Sequence, residues 1–481
     1  MKNLKRLLAG CMAVAMVFAF TACDDSSDDS SSKEDTVKVA EAEDISDIPD
    51  GAETELIYMG VGDLNPTGDN EKSVGLTLFE QKGGTITYSR VTSSNQYTKL
   101  GAAVTAGKDV PDLFNYTALA VPSQVIQGFY QPLDDIIDFE DAMWVGIKDT
   151  ADQFTVNGEH YVVPFSYKPL SLLFYDRTVI TENGLDDPQD LYYAGEWDYD
   201  AMDDLMSEYV AGASGDEIRR YGINGYYAPS YVQQTGETIV TTEDGITYES
   251  NLDSAKIAAA EERLSNWLKE GYVYESWIGE ASEAFETNCL FYAMGEWAAI
   301  DTHTPSADDD WGVVPFPSDP SYEGDLPISS ASMSDDSVLW VNGSEKAETV
   351  KVFYECYRVA QTDPDYQQNE KDKWLENNPY WGEEAYDIIS DVSDPETHLM
   401  IFDPSYGVSS LMGDDNSGFM SGVSLTNWIY KSTSSADEQG ETYTWTQTKE
   451  KYANTVESEV ASLNESIQAF ITNGTTVAAE E

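Results

Sequence analysis

The feature that most restricts the fold is an alternation of short apolar strands with amphipathic helices, which starts near residue 55 and runs through the chain. Glu55-Leu56-Ile57-Tyr58-Met59 reads as a strand ended by the turn Gly60-Val61-Gly62, and Thr85-Ile86-Thr87-Tyr88 as a second strand. Tyr97 to Thr105 predicts a helix, and Pro111-Asp112-Leu113-Phe114-Asn115-Tyr116 a further strand with its exit. Strands joined by helices pair mostly in parallel, in a sheet covered on both faces, which is the α/β class. Open sheets of this kind hold ligands beyond the carboxyl ends of their strands. That rule puts Asp63, Asn65 and Tyr116 where a site is expected.

The alternation returns in the middle of the chain. Asp198 can cap a helix that buries Met202, Leu205, Met206 and Tyr209, spaced as one helical face. Asp253 or Ser254 opens another, with Ile257, Leu264, Trp267 and Leu268 inward and Gly271 as its stop. Tyr452, Val456, Val460, Leu463, Ile467 and Phe470 recur at helical spacing and predict a docking helix that closes the fold. Between about residues 403 and 440, Gly, Ser and Asp dominate, so loops are expected and Trp428 stands out. The body, from about residue 52 to 475, is too long for one ordinary core and fits two domains.

The N-terminus carries its own instructions. A basic start with Lys2, Lys5 and Arg6 leads into an apolar run from Leu7 to Phe20 and then Thr21-Ala22-Cys23. Fourteen residues at a rise of ~1.5 Å reach about 21 Å, short of the ~30 Å hydrocarbon core, so the run reads as a secretory signal over residues 1–22. Ala22-Cys23 followed at once by Asp24-Asp25-Ser26-Ser27 resembles a bacterial lipoprotein signal, with Phe20 where that box usually has Leu. The resemblance makes Cys23 the lipidated first residue of the mature protein. Residues 23–51 are acidic and serine-rich, with too little apolar surface to offset their ordering entropy, and read as a tether. Residues 476–481 read as a disordered tail.

Composition excludes several functions. The 26 basic and 88 acidic side chains give a net charge of −62, the wrong sign for neutralising nucleic-acid phosphates. Cys289 and Cys356 remain in the body with no CxxC or zinc spacing, and read as core thiols with a disulfide between them left open. The three histidines, His160, His303 and His398, form no HExxH pair, no GxSxG elbow occurs, and Asp308-Asp309-Asp310 lacks the spacing of a calcium loop. Gly60-Val61-Gly62 has Asn65 where a dinucleotide fingerprint needs its third glycine. No metal or cofactor is therefore expected. A glycosidase needs only two suitably spaced carboxylates, which 88 acids leave open as the enzymatic competitor.

The informative excess is aromatic: 30 Tyr, 11 Trp and 16 Phe. Sugars offer flat C–H faces to aromatic rings and hydroxyls to carboxylates and amides. Tyr226-Tyr227-Ala228-Pro229-Ser230-Tyr231 and Asn427-Trp428, set among Gly, Pro and Ser, are expected to face a cleft.

Seven motifs then occur in the order found in the extracellular solute-binding proteins of ABC importers. Val110-Pro111-Asp112-Leu113-Phe114, Gln131-Pro132-Leu133-Asp134-Asp135 and Asn157-Gly158-Glu159-His160-Tyr161-Val162-Val163-Pro164 through Leu172-Leu173-Phe174-Tyr175-Asp176 resemble that family's segments. So do Gly195-Glu196-Trp197-Asp198, Phe285 to Met294, Trp311-Gly312-Val313-Val314-Pro315-Phe316-Pro317 and Val341-Asn342-Gly343-Ser344. The likeness covers about residues 54–472 and is greatest to the sugar-binding group around maltose-binding protein. It implies a two-lobe periplasmic-binding-protein-like (type II) α/β fold, each lobe a mostly parallel sheet flanked by helices, joined by strands that cross near Pro164 and Val314. Lobe one would comprise 52–166 and 312–358, and lobe two 167–311 and 359–475.

The resemblance further implies a monomeric, membrane-tethered binder, not an enzyme, that captures a small solute, an oligosaccharide, by hinge closure and delivers it to ABC permease subunits on the extracytoplasmic face. Its ligand-contact positions fall on Asp63, Asn65, Tyr116, Lys168, Tyr227, Trp297 and Trp428. Lys168 stands where the maltose binder has an acid, which argues against the same ligand. A surface glycosidase and a carbohydrate-adhesion module are the competing readings.

Overall fold

Glu55–Gly60 pairs in parallel with Thr85–Arg90 on one side and Leu113–Asn115 on the other, and Val338–Trp340 closes this first sheet antiparallel to Leu113–Asn115. The computed structural model describes residues 44–65, 72–165, 167–213, 219–300, 303–333, 337–395, 397–413, 424–437 and 439–473. The signal, Cys23 and the tail at 476–481 lie outside the described residues. From Ile45, which is buried, the chain is already seated on the body. The Ser46 amide donates to Glu355 Oε2 at 2.7 Å, and Lys82 Nζ reaches the Ile45 carbonyl at 2.8 Å. Helices Val74–Gln81 and Ala347–Thr362 cover the first sheet, with Phe79 and Phe353 edge to face at 5.5 Å. The expected helix near 97–105 runs over Gln96–Ala106.

The second sheet runs Trp311–Val314, Leu172–Asp176, Cys289–Met294, Tyr221–Gly225. Its central strands, Leu172–Asp176 and Cys289–Met294, are near-continuous apolar runs, as burial of both faces requires. Leu172 and Phe174 face one core with Trp311, Trp381 and Ile388, while Leu173 and Tyr175 face the main core with Ile223 and Phe291. The sheet is mixed rather than mostly parallel. Leu172–Asp176 runs antiparallel to both neighbours, and the parallel pair is Cys289–Met294 with Tyr221–Gly225.

Between the sheets lies a three-stranded ribbon in which Ile328–Met333 pairs antiparallel with Tyr167–Pro169 and parallel with Leu399–Ile401. The boundary expected at residue 312 falls within a strand bonded to Leu172–Asp176 in the second sheet. The chain returns to the first sheet afterwards, through Ile328–Met333, rather than near Val314.

Local signals set the helices. Asp198 caps Tyr199–Ala211, its carboxylate accepting the Ala201 amide at 2.9 Å. Ser254 caps Ala255–Glu270, and Gly271, at φ 75°, ends it in the left-handed conformation that glycine alone adopts cheaply. The last helix, Trp445–Asn473, buries Val456, Val460, Leu463, Ile467 and Phe470, each contributing about 1.5–3 kcal/mol on burial. Asn464 docks it by bonding both the amide and the carbonyl of Tyr248 at 2.9 Å. Cys289 and Cys356 are both free and buried, so no disulfide joins them, and burial pushes their thiols up to about 11 and about 12.

Candidate functional site

The parallel strands Tyr221–Gly225 and Cys289–Met294 end on the same side of the second sheet, and a pocket opens there. Gly225 makes the exit. Its φ is +103°, and an added Cβ would strike the Ala293 carbonyl oxygen, so no other residue fits without backbone movement. The turn then locks: the Tyr226 amide donates to Ala293 O at 2.6 Å, and Ser171 Oγ donates to Tyr226 O at 2.6 Å. Tyr227 follows, its ring 6.1 Å from Trp267 and its hydroxyl donating to the Ser434 carbonyl at 3.3 Å.

Two further walls complete the pocket. The segment after Gly271 is held by Asn224, whose amide donates to the carbonyls of Tyr274 at 2.6 Å and Ser276 at 2.9 Å. This sets Trp277 at the pocket with 67% of its surface open. The helix Leu425–Lys431, capped by Ser424 through the Asn427 amide, adds Asn427 and Lys431. The pocket, open to solvent on one side, has a volume of about 430 Å³, within the usual range for small-molecule sites.

Behind the pocket runs a buried polar network. Asn427 Oδ1 accepts from the hydroxyls of Tyr226 and, at 2.5 Å, Tyr406. Asp403 accepts from Tyr430 at 2.5 Å and from Gln233 at 3.1 Å, and Gln233 in turn accepts from Ser330 on the crossing strand. Burial raises the Asp403 carboxyl above its ordinary range, partly offset by the hydrogen bonds of Ser405, Tyr430 and Gln233. The network therefore ties the pocket side of the second sheet to the ribbon between the sheets.

The sequence-predicted residues are dispersed. Asp63 is exposed and accepts the Asn65 amide at 2.9 Å, and Tyr116 packs edge to face on Phe154 at 5.8 Å. These three sit at the carboxyl edge of the first sheet and do not line the pocket. Nearby, Tyr88 donates to Val61 O at 2.8 Å and Asn115 accepts the Val61 amide at 3.2 Å. Lys168, on the crossing strand, reaches Glu296 at 3.3 Å beside Trp297, which is 43% exposed. Tyr227 lines the pocket. Trp428 lies in a helix rather than a loop, edge to face with Tyr443 at 6.3 Å, while its neighbour Asn427 faces the pocket. Sequence reasoning missed Trp277 and Lys431. Trp277, between Ser276 and Ile278-Gly279, carried the same signal that singled out Trp428.

The chemistry available is recognition. Trp277 offers an open aromatic face and Tyr226 and Tyr274 partly covered ones, while Asn224 and Asn427, buried and bonded to the protein, hold the walls in place. Glu275 is the single carboxylate among the described lining residues, whereas glycoside hydrolysis needs two. Among the described residues no group of three or more His, Cys, Asp or Glu side chains could hold a metal ion.

Comparison with solved structures gives the same architecture. An ABC transporter solute-binding protein from Thermotoga lettingae, bound with alpha-D-tagatose, superposes with a TM-score of 0.54 at 16% identity, covering 85% of this chain and 100% of the other. The sugar-binding protein MalE from Xanthomonas citri gives 0.55 at 16%, covering 88% and 100%. A cyclo/maltodextrin-binding protein complexed with maltotetraose gives 0.55 at 15%, covering 89% and 100%. The fold is thus the α/β periplasmic-binding-protein fold, with mixed sheets flanked by helices. A comparison by sequence with the curated proteins finds no match. The profile described as "Bacterial extracellular solute-binding protein" matches residues 77–370, more than half of the chain. With motif order, fold and profile in agreement, the chain belongs to the bacterial extracellular solute-binding proteins, a family of binders and not of enzymes.

Proposed function

We propose that the protein captures an oligosaccharide for an ABC importer, holding it between two lobes that close about the crossing strands, and that Cys23 tethers it by lipid to the extracytoplasmic face of the membrane. The observation that carries the sugar reading is the pocket beyond Tyr221–Gly225, where the open indole of Trp277 stands over a floor of partly covered tyrosines and buried side-chain amides. That the similar structures include complexes with tagatose and maltotetraose supports it. The crossing ribbon supports hinge closure, since a few strand residues carry the chain between the two sheets and can take up a rotation. The lobes are taken to meet at that ribbon, with the first-sheet edge at Asp63, Asn65 and Tyr116 as the facing wall, and Lys168, Trp297 and Trp428 on the second-lobe side. Incubation with labelled oligosaccharides tests the reading: retention without cleavage is expected, and steady release of shorter sugars contradicts it. An adhesion module would show neither tight small-ligand binding nor compaction on adding ligand.

A further inference from the structure

Lys431 is out of place in a chain of this charge. With 88 acidic side chains against 26 basic, nearly any cation finds a carboxylate, and the other partly covered lysines do. Lys82, Lys148, Lys346 and Lys371 each hold one within 4 Å. Lys431 is half-buried and lines the pocket, yet no carboxylate lies within 4 Å of its ammonium among the described residues. Its described side-chain partner is the face of Trp428 at 5.4 Å, which fixes the ammonium without neutralising it. Burial lowers its pKa, and no acidic neighbour among the described residues offsets that cost; Glu275, the carboxylate on the facing wall of the pocket, is exposed and makes no ion pair with it. The last turn of a helix favours a cation, but this does not require the ammonium to line a pocket. An ammonium desolvated beside aromatic faces and amides matches a ligand that brings its own negative charge.

We propose that the pocket takes an acidic oligosaccharide, with the carboxylate of a hexuronic acid unit paired to Lys431 and a sugar face stacked on Trp277. This rests on the reading of the protein as a sugar binder and narrows its substrate class. A sulfate ester offers the same anionic chemistry, so the test carries both. Calorimetric titration of the protein with trigalacturonate, a sulfated heparin disaccharide and maltotetraose is repeated on Lys431→Met and Lys431→Arg, each first checked by thermal melting. The expected result is binding of trigalacturonate that weakens about tenfold or more in Lys431→Met, is kept in Lys431→Arg, and falls with added salt. The same pattern for the sulfated disaccharide alone supports the cation's role with sulfate as the source of charge. Maltotetraose bound equally by wild type and Lys431→Met, with neither acidic sugar bound, overturns this inference and leaves the sugar reading standing. Failure of all three sugars with folded protein overturns both.

Discussion

Glu261 offers a prediction that can be worked from a single side chain. It lies on the buried face of Ala255–Glu270 with none of its surface exposed; Oε2 accepts the Thr433 hydroxyl at 2.7 Å and Oε1 has no hydrogen-bond partner among the described residues. Burial raises its pKa well above the ordinary 4.5, and the Thr433 hydrogen bond offsets little of that. The folded state therefore binds a proton that the unfolded state releases as pH rises past its ordinary value. The sign follows: stability is greatest below that value and falls with pH until the folded group itself ionises. Each unit within this window costs about 1.4 kcal/mol, so pH 5 to 7 costs about 2.7 kcal/mol if the proton stays in place. Glu261→Gln keeps an oxygen for Thr433 and removes the titration. Urea unfolding of both proteins at pH 5, 6 and 7 should show the variant gaining on wild type as pH rises, by at most about 1.4 kcal/mol per unit. A constant difference between pH 5 and 7 would refute the buried, protonated carboxyl.

Other perturbations separate surface from core and test the remaining charges. Trp277→Ala, at a residue 67% exposed, should weaken sugar binding about tenfold, or ~1.4 kcal/mol, with an unchanged melting curve, whereas Trp267→Ala, 2% exposed, should cost about 3–5 kcal/mol in urea unfolding. Burial opposes charge on His160, but hydrogen bonds to Asp134 and Asp152, each 2.8 Å, outweigh it and raise its pKa. That stability is full below about 6.5 and lost as pH rises through the folded pKa, so His160→Gln should destabilise most in mild acid and least in alkali by urea midpoint. Cys23→Ser should move the protein from membrane to medium in cell fractionation, and retention at the membrane would refute the lipid anchor.

Much of the fold is written locally. Asp198, Ser254 and Gly271 mark helix ends by hydrogen-bonding and φ preferences that act within a few residues, and the faces of Tyr199–Ala211 and Trp445–Asn473 follow from spacing alone. The direction of Leu172–Asp176 is not local. Its apolar run looks the same whether its partners run parallel or antiparallel, so the mixed second sheet and the membership of Trp311–Val314 emerge only with long-range pairing. The site divides likewise. Tyr226 and Tyr227 were marked by Gly225 and Pro229 around them, but the pocket face of Leu425–Lys431 depends on recognising the helix. Once it is helical, Asn427 and Lys431, four residues apart, share a face, and Trp428, about 100° round, turns to Tyr443.

The measurement that bears most directly on the central claim is a crystal structure of the protein with an oligosaccharide it retains in solution. The account predicts a sugar ring stacked on Trp277 in the pocket bounded by Tyr226, Tyr227 and Asn427, with the first-sheet edge near Asp63 and Tyr116 brought across to cover it. A sugar bound elsewhere on the surface, with that pocket empty and the two sheets no closer than without ligand, would contradict it.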